Sequence, residues 1–133
     1  MDPHARTQVF VYGSLLQGEE NHHFLQSAHC LGEDRLLGLR LYHLGRYPMI
    51  WWGTGWVKGE RYQISLQLLA RLDELEDHPH VYHREWLQLH SGNHAWIYVG
   101  RPELVQGYHY LPEGDWRQRH RLDLDRTSVD TGG

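Results

Sequence analysis

Two stretches of this chain carry residue types whose spacing could do chemistry together. The first is Leu72-Asp73-Glu74-Leu75-Glu76-Asp77, four carboxylates at the end of a leucine-rich run. On a helix that advances about 100° per residue, Leu68, Leu69 and Leu75 fall within about 60° of Leu72 and Glu76 falls at about 40°, whereas Asp73, Glu74 and Asp77 lie at about 100° or beyond. Glu76 shares the apolar face if the helix reaches it, and a desolvated carboxylate has its pKa raised toward the range where it trades protons near neutrality. If the helix ends by Leu75, Glu76 is a solvated last-turn acid. The second stretch is Val9-Phe10-Val11-Tyr12-Gly13-Ser14-Leu15. Gly13 lets the backbone turn sharply or approach a bound group, and Ser14 adds a hydroxyl beside peptide N–H groups just freed from a strand. A pocket of backbone donors can start there, although Tyr-Gly-Ser-Leu alone also fits an ordinary strand exit.

Other candidates carry weaker chemistry. Ser14 lacks the Gly-x-Ser-x-Gly elbow of a hydrolase nucleophile. His78, His80 and His83 are close enough in sequence to suggest zinc or nickel, but Pro79 interrupts them, so their rings share no regular face and the expectation is no metal site. His22 and His23 are adjacent, point apart on a helix and read as a solvated pair. Tyr82 and Tyr98 read either as core tyrosines with bonded hydroxyls or as cavity contacts. Arg84 is expected to pair with an acid and hold the turn after the helix, and Asp73 to be a solvated helix acid.

These residues need elements to position them. Val9, Phe10, Val11 and Tyr12 lack polar alternation, the pattern of a strand buried on both faces. A short helix is expected over 19–26 with Asn21 at its cap. A long strand follows over 30–45, bent near Gly38, with Leu37, Leu39 and Leu41 on one side and Leu36 and Tyr42 on the other. Residues 46–55, with Pro48, Gly53, Gly55 and the Trp51-Trp52 pair, read as an aromatic loop that lids a pocket or plugs the core. A strand over 56–64 leads to Ser65, the expected N-cap of a helix over 66–76. Residues 84–90 and 93–100 form a hairpin around Ser91-Gly92-Asn93, and Trp116 anchors a turn over 111–116.

Length and composition set the outer bounds. A chain of 133 residues suits one domain, expected over 7–120, with a mobile tail at 121–133. The single cysteine, Cys30, excludes an internal disulfide and suits a reducing cytoplasm. No stretch approaches the ~18 apolar residues of a membrane span. The net charge of −4, with Lys58 the sole lysine, gives no general attraction for nucleic acid. Twelve histidines make the charge respond to mild acidification.

The opening Val-Phe-Val-Tyr-Gly-Ser-Leu and a second motif, matched at Leu72, Asp73, Glu76, Pro79, Tyr82 and Arg84, together resemble the γ-glutamylcyclotransferase-like family in its γ-glutamylamine branch. Asp77 stands where that motif has glycine. Similarity to the small bacterial members continues through Leu44-Gly45-Arg46-Tyr47-Pro48, Val57-Lys58-Gly59-Glu60, Trp96-Ile97-Tyr98-Val99 and Gly114-Asp115-Trp116. The resemblance implies an α+β fold, a small mixed β-barrel with one main helix packed beside it, and a cavity shared by the first loop and a helix-borne Glu. It implies release of 5-oxoproline from a small γ-glutamyl amine or peptide, with Glu76 as general acid and base. Tyr12, Gly13, Ser14, Leu15, Tyr82 and Tyr98 would bind substrate, the Trp51 and Trp52 loop would help exclude water, and no cofactor is needed. The alternative it leaves is a non-catalytic binding module that has kept the cavity, motivated by Asp77 in place of glycine.

Overall fold

In the computed structural model, which describes residues 5–120, the apolar run Val9-Phe10-Val11 forms the buried end of strand β1 (Arg6–Val11). The tail expected to be mobile at 121–133 lies outside the described residues. The strand is central, as its missing polar alternation requires. It pairs antiparallel with β3 (Pro48–Ser65) on one side and parallel with β5 (His94–Val99) on the other. With β2 (His29–His43), β4 (His83–Gln88) and β6 (Tyr110–Leu111), these strands make a mixed six-stranded sheet ordered β4-β5-β1-β3-β2-β6, curled into a half-barrel beside one main helix.

The curl is written into β2 and β3. Gly38 adopts φ +88°, and the ladder slips there: Leu37 pairs with Trp56 but Leu39 with Trp52, so three residues of β3, 53–55, stand against Gly38 alone. The irregularity inverts the alternation in β2: Leu36, Leu39 and Leu41 are buried on one face, and Leu37, expected beside Leu39 and Leu41, is 52% exposed. The aromatic loop expected over 46–55 is a strand for most of its length. The β2–β3 connection is a tight turn closed by Leu44 N–H to Tyr47 O (3.0 Å), and the ladder pairs Arg40 with Trp51 and Leu41 with Ile50. Gly53 and Gly55 do not interrupt the strand. They belong to the bulge itself and lie against Arg40 and the Leu39 carbonyl, where little room remains for a side chain. Trp52 consequently points outward, and Trp51 packs half-buried against the core.

Helix α1 (Leu66–Leu75) starts where Ser65 Oγ accepts the Leu68 N–H (3.0 Å) and buries Leu68, Leu69 and Leu72 against the sheet. Leu75, expected in the same stripe, is 37% exposed at the helix end, and Leu66 is exposed at its start. The expected hairpin is β4–β5, closed by Leu89 N–H to Asn93 O (2.7 Å). Trp116 is buried as expected, next to the Gly114 turn. Among the described residues no helix is long and apolar enough to cross a membrane.

Candidate functional site

Glu76 ends α1 without leaving its geometry. The helix stops at Leu75, one residue short of the expected end, but the Glu76 N–H still reaches back to Leu72 O (2.9 Å), so its side chain keeps the direction of the leucine stripe. Asp77 then turns left-handed at φ +50°, with its N–H on Glu74 O (3.2 Å) and the His78 N–H on Asp73 O (2.9 Å). This pair of bonds is a Schellman closure, which ordinarily takes glycine at the position Asp77 holds. Asp77→Gly is expected to stabilise the fold by about 0.5 to 1 kcal/mol, since relief of the left-handed strain outweighs the added freedom of the unfolded chain; a urea melt that shifts the other way would refute it.

The half-buried Glu76 carboxyl is desolvated, and burial raises its pKa from 4.5 to about 7. It faces a cavity of about 510 Å³ that Tyr12, Gly13, Ser14, Leu15, Tyr82 and Tyr98 also line, so all the sequence-predicted site residues converge on one space. The first loop enters it through a turn in which Leu16 N–H bonds Gly13 O (3.0 Å), which leaves the N–H groups of Ser14 and Leu15, at its centre, without a partner inside the turn. Asn21 does not cap the short 3₁₀ turn His22–Leu25. Its N–H reaches Ser14 O (2.7 Å) and its side-chain amide donates to Ser14 Oγ (3.0 Å), pinning the loop instead. His22, expected in solvent, bonds through Nδ1 to Leu15 O (2.9 Å).

The tyrosines combine both expected roles. Tyr12 Oη donates to Tyr98 O (2.5 Å), Tyr82 Oη to Pro48 O (2.6 Å) and Tyr98 Oη to Asp73 Oδ1 (2.7 Å), while their rings wall the cavity. Burial raises the pKa of all three phenols, helped at Tyr98 by the bond to Asp73 and at Tyr12 and Tyr82 by the nearby Glu76, so they remain neutral walls. Asp73 is not the solvated acid expected: it also accepts from Arg84 Nε (2.9 Å), giving Arg84 the turn-holding role expected of it. The histidine cluster is dispersed. His78 Nδ1 accepts the Arg84 N–H, His80 lies by Asp77 and His83 by Glu85, and among the described residues no three potential ligands come together to hold a metal.

Trp51 and Trp52 do not line the cavity; Tyr47, Pro48 and Met49 take that place, one turn earlier in the chain. Gly13 packs so closely on Pro48 that a Cβ there would lie 2.4 Å from the proline ring. Leu104, just inside the short helix α2 (Pro102–Val105), and Tyr108 complete the mouth and carry no pattern that marks them in sequence.

Residues 9–118 match the gamma-glutamyl cyclotransferase, AIG2-like family. The chain belongs to that family. Membership makes it a cyclotransferase-type enzyme. A putative gamma-glutamylcyclotransferase of Vibrio cholerae is 41% identical over 112 residues, covering 84% of this chain and 96% of that one. The family protein YtfP of Escherichia coli K12 is 39% identical over 115 residues, covering 86% and 99%. A solution structure of E. coli YtfP superposes with a TM-score of 0.66 (40% identity, 85% and 98% covered), and the crystal structure of a Mus musculus AIG2-like protein with 0.73 (27% identity, 82% and 88%). The shared fold places the half-barrel and its main helix within the family.

Proposed function

We propose that the cavity binds a γ-glutamyl amine or peptide and releases 5-oxoproline by intramolecular aminolysis. The observation that carries this is a carboxyl brought to about pKa 7 by burial in the same cavity as the open amides of the 13–16 turn. The substrate's α-ammonium, with a pKa near ~8, must lose a proton before its nitrogen attacks the side-chain amide carbon. Glu76 takes that proton. The new C–N bond closes the five-membered ring, and charge moves to the carbonyl oxygen, where backbone N–H groups of the first loop stabilise it. Glu76 then returns the proton to the leaving nitrogen, the old C–N bond breaks, the ring nitrogen passes its second proton to the freed amine, and 5-oxoproline and an ammonium leave. The apolar bodies of Tyr12, Tyr82 and Tyr98 keep water from competing.

The lining also bears on the leaving amine. Glu20, Glu76 and Asp77 line the cavity and among the described residues no Lys, Arg or His does, while Arg46 outside it is tied to Glu20 at 2.9 Å. A cationic leaving group is therefore favoured over an anionic one, by about 2- to 5-fold per rim carboxylate. The test measures 5-oxoproline by mass spectrometry from γ-glutamyl-1,4-diaminobutane, γ-glutamylbutylamine and γ-glutamyl-4-aminobutyrate, three chains of similar length and opposite charge. The expected order of kcat/KM is cation, neutral, anion. A reversed order would remove the charge preference, and no product from these or from a wider γ-glutamyl library would remove the proposed reaction.

A further inference from the structure

Glu60 is 6% exposed, lines no part of the cavity, and is fully engaged. Its Oε1 accepts the Gln17 N–H (3.0 Å) and the Tyr62 hydroxyl (3.1 Å), and its Oε2 accepts from Arg117 Nη2 (3.1 Å). The same guanidinium nitrogen donates to Gln17 O (2.7 Å). Both backbone polar groups of Gln17 are thus held by one partly buried ion pair, and Gln17 directly follows the turn that carries Gly13, Ser14 and Leu15. Two residues further, Glu19 meets Arg119 Nη2 at 2.8 Å, a largely shielded contact from the same C-terminal turn.

A loop built on glycine and short side chains does not hold its amides in one orientation by itself, yet a donor acts on developing charge only when it is placed in advance. Packing supplies part of the constraint through buried Leu15 and Leu16. Asn21 and His22 hold Ser14 and Leu15, and the hold on Gln17 comes from residue 117, a hundred positions away in sequence. We propose that Glu60 and Arg117 are positioning residues: the ion pair grips Gln17 from both sides and fixes the amides of the first loop, which makes the C-terminal turn a working part of the site. Ion pairs add little net stability whether exposed or buried, so the consequence of this partly buried one is registry of the loop. The kinetic part rests on the cyclotransferase function proposed above; the structural part does not.

The test uses the full chain with Arg117→Met, which keeps the aliphatic stem, and Arg117→Lys. Amide-resolved hydrogen exchange is followed at Leu16, Glu19 and Asn21, whose acceptors are the Gly13, Leu16 and Ser14 carbonyls and which touch neither member of the pair. Arg117→Met is expected to speed exchange at these three by at least about 10-fold while Leu69, Leu72 and Ile97 change by less than about 2-fold, and Lys is expected to restore part of the protection. Because these amides act on charge that develops in the transition state, kcat for a γ-glutamyl substrate is expected to fall about 5- to 10-fold with KM little changed, and the acid limb of the kcat/KM profile to stay near Glu76's pKa of about 7. Equal acceleration across the protein, or none in the loop, overturns the positioning role, as does a kcat that stays unchanged in an active enzyme. Selective loop exchange in a protein whose wild type makes no 5-oxoproline leaves the positioning role standing and removes the cyclotransferase function. Should Arg117→Met fail to fold, Glu60→Gln, which preserves the shape, is judged by the same exchange readout with a smaller expected change of about 2- to 3-fold.

Discussion

Glu76→Gln is expected to lower kcat by about 10²- to 10⁴-fold, the range of a lost general acid and base, while leaving KM and the circular dichroism spectrum close to wild type. The amide keeps the shape of the carboxyl and loses only the proton traffic. In the wild type, kcat/KM should climb with pH through the pKa of about 7 as the base form appears, and in the variant that limb should vanish. An unchanged rate in a folded variant would end the assignment of Glu76.

The same substitution carries a stability prediction of defined sign. The folded-state pKa of Glu76, about 7, lies above its ordinary 4.5, so between these values the folded protein retains a proton that the unfolded chain has released. Stability from this group is therefore present in full below about pH 4.5, is lost as pH rises to about 7, and is flat above that. The interval corresponds to at most about 3 kcal/mol. Glu76→Gln has no such titration and is expected to gain stability over wild type by up to that amount at pH 8, and nothing comparable at pH 4, in paired urea melts. A residue that loses activity and gains stability on the same change is one held in place against its solvation.

Gly59→Ala is expected to cost about 3 kcal/mol or more of stability, read as a fall in the urea midpoint. A Cβ at Gly59 would lie 2.2 Å from the Val11 carbonyl oxygen and 2.6 Å from the Phe10 ring, and the first of these is backbone that cannot swing away. The strain falls where β1 meets β3, immediately before Tyr12 and Gly13, so surviving activity should drop as well. Gly53→Ala is the control. Its Cβ would meet the flexible Arg40 side chain at 3.1 Å, and a cost below about 1 kcal/mol is expected. Comparable losses in the two variants would contradict the steric account.

Local pattern and long-range contact divide the molecule between them. The central strand, the Ser65 cap, the hairpin around Gly92 and the bend at Gly38 were all legible, because each follows from residues within a few positions of one another. The aromatic segment was not. Gly53 and Gly55 are loop formers by local preference, and only their place in a bulge facing Gly38 turns them into the corner of a continuous strand. Leu37 went outward for the same reason, since a bulge inverts alternation without changing composition.

For the site, the helical angle marked Glu76 as either an inward base or a solvated last-turn acid, and it was the family resemblance that set it in one cavity with the first loop and the three tyrosines. Local periodicity gives a side chain's direction, and it does not say what lies across from it. The geometry of these residues was decided elsewhere: the raised pKa of Glu76 by how deeply the sheet and loops bury it, the pairing of Asp73 with Arg84 and Tyr98 by the meeting of helix and hairpin, and the grip on Gln17 by a side chain from the far end of the chain. Desolvation and ion pairing depend on which groups are neighbours in space, a property of the closed sheet that no window of sequence contains.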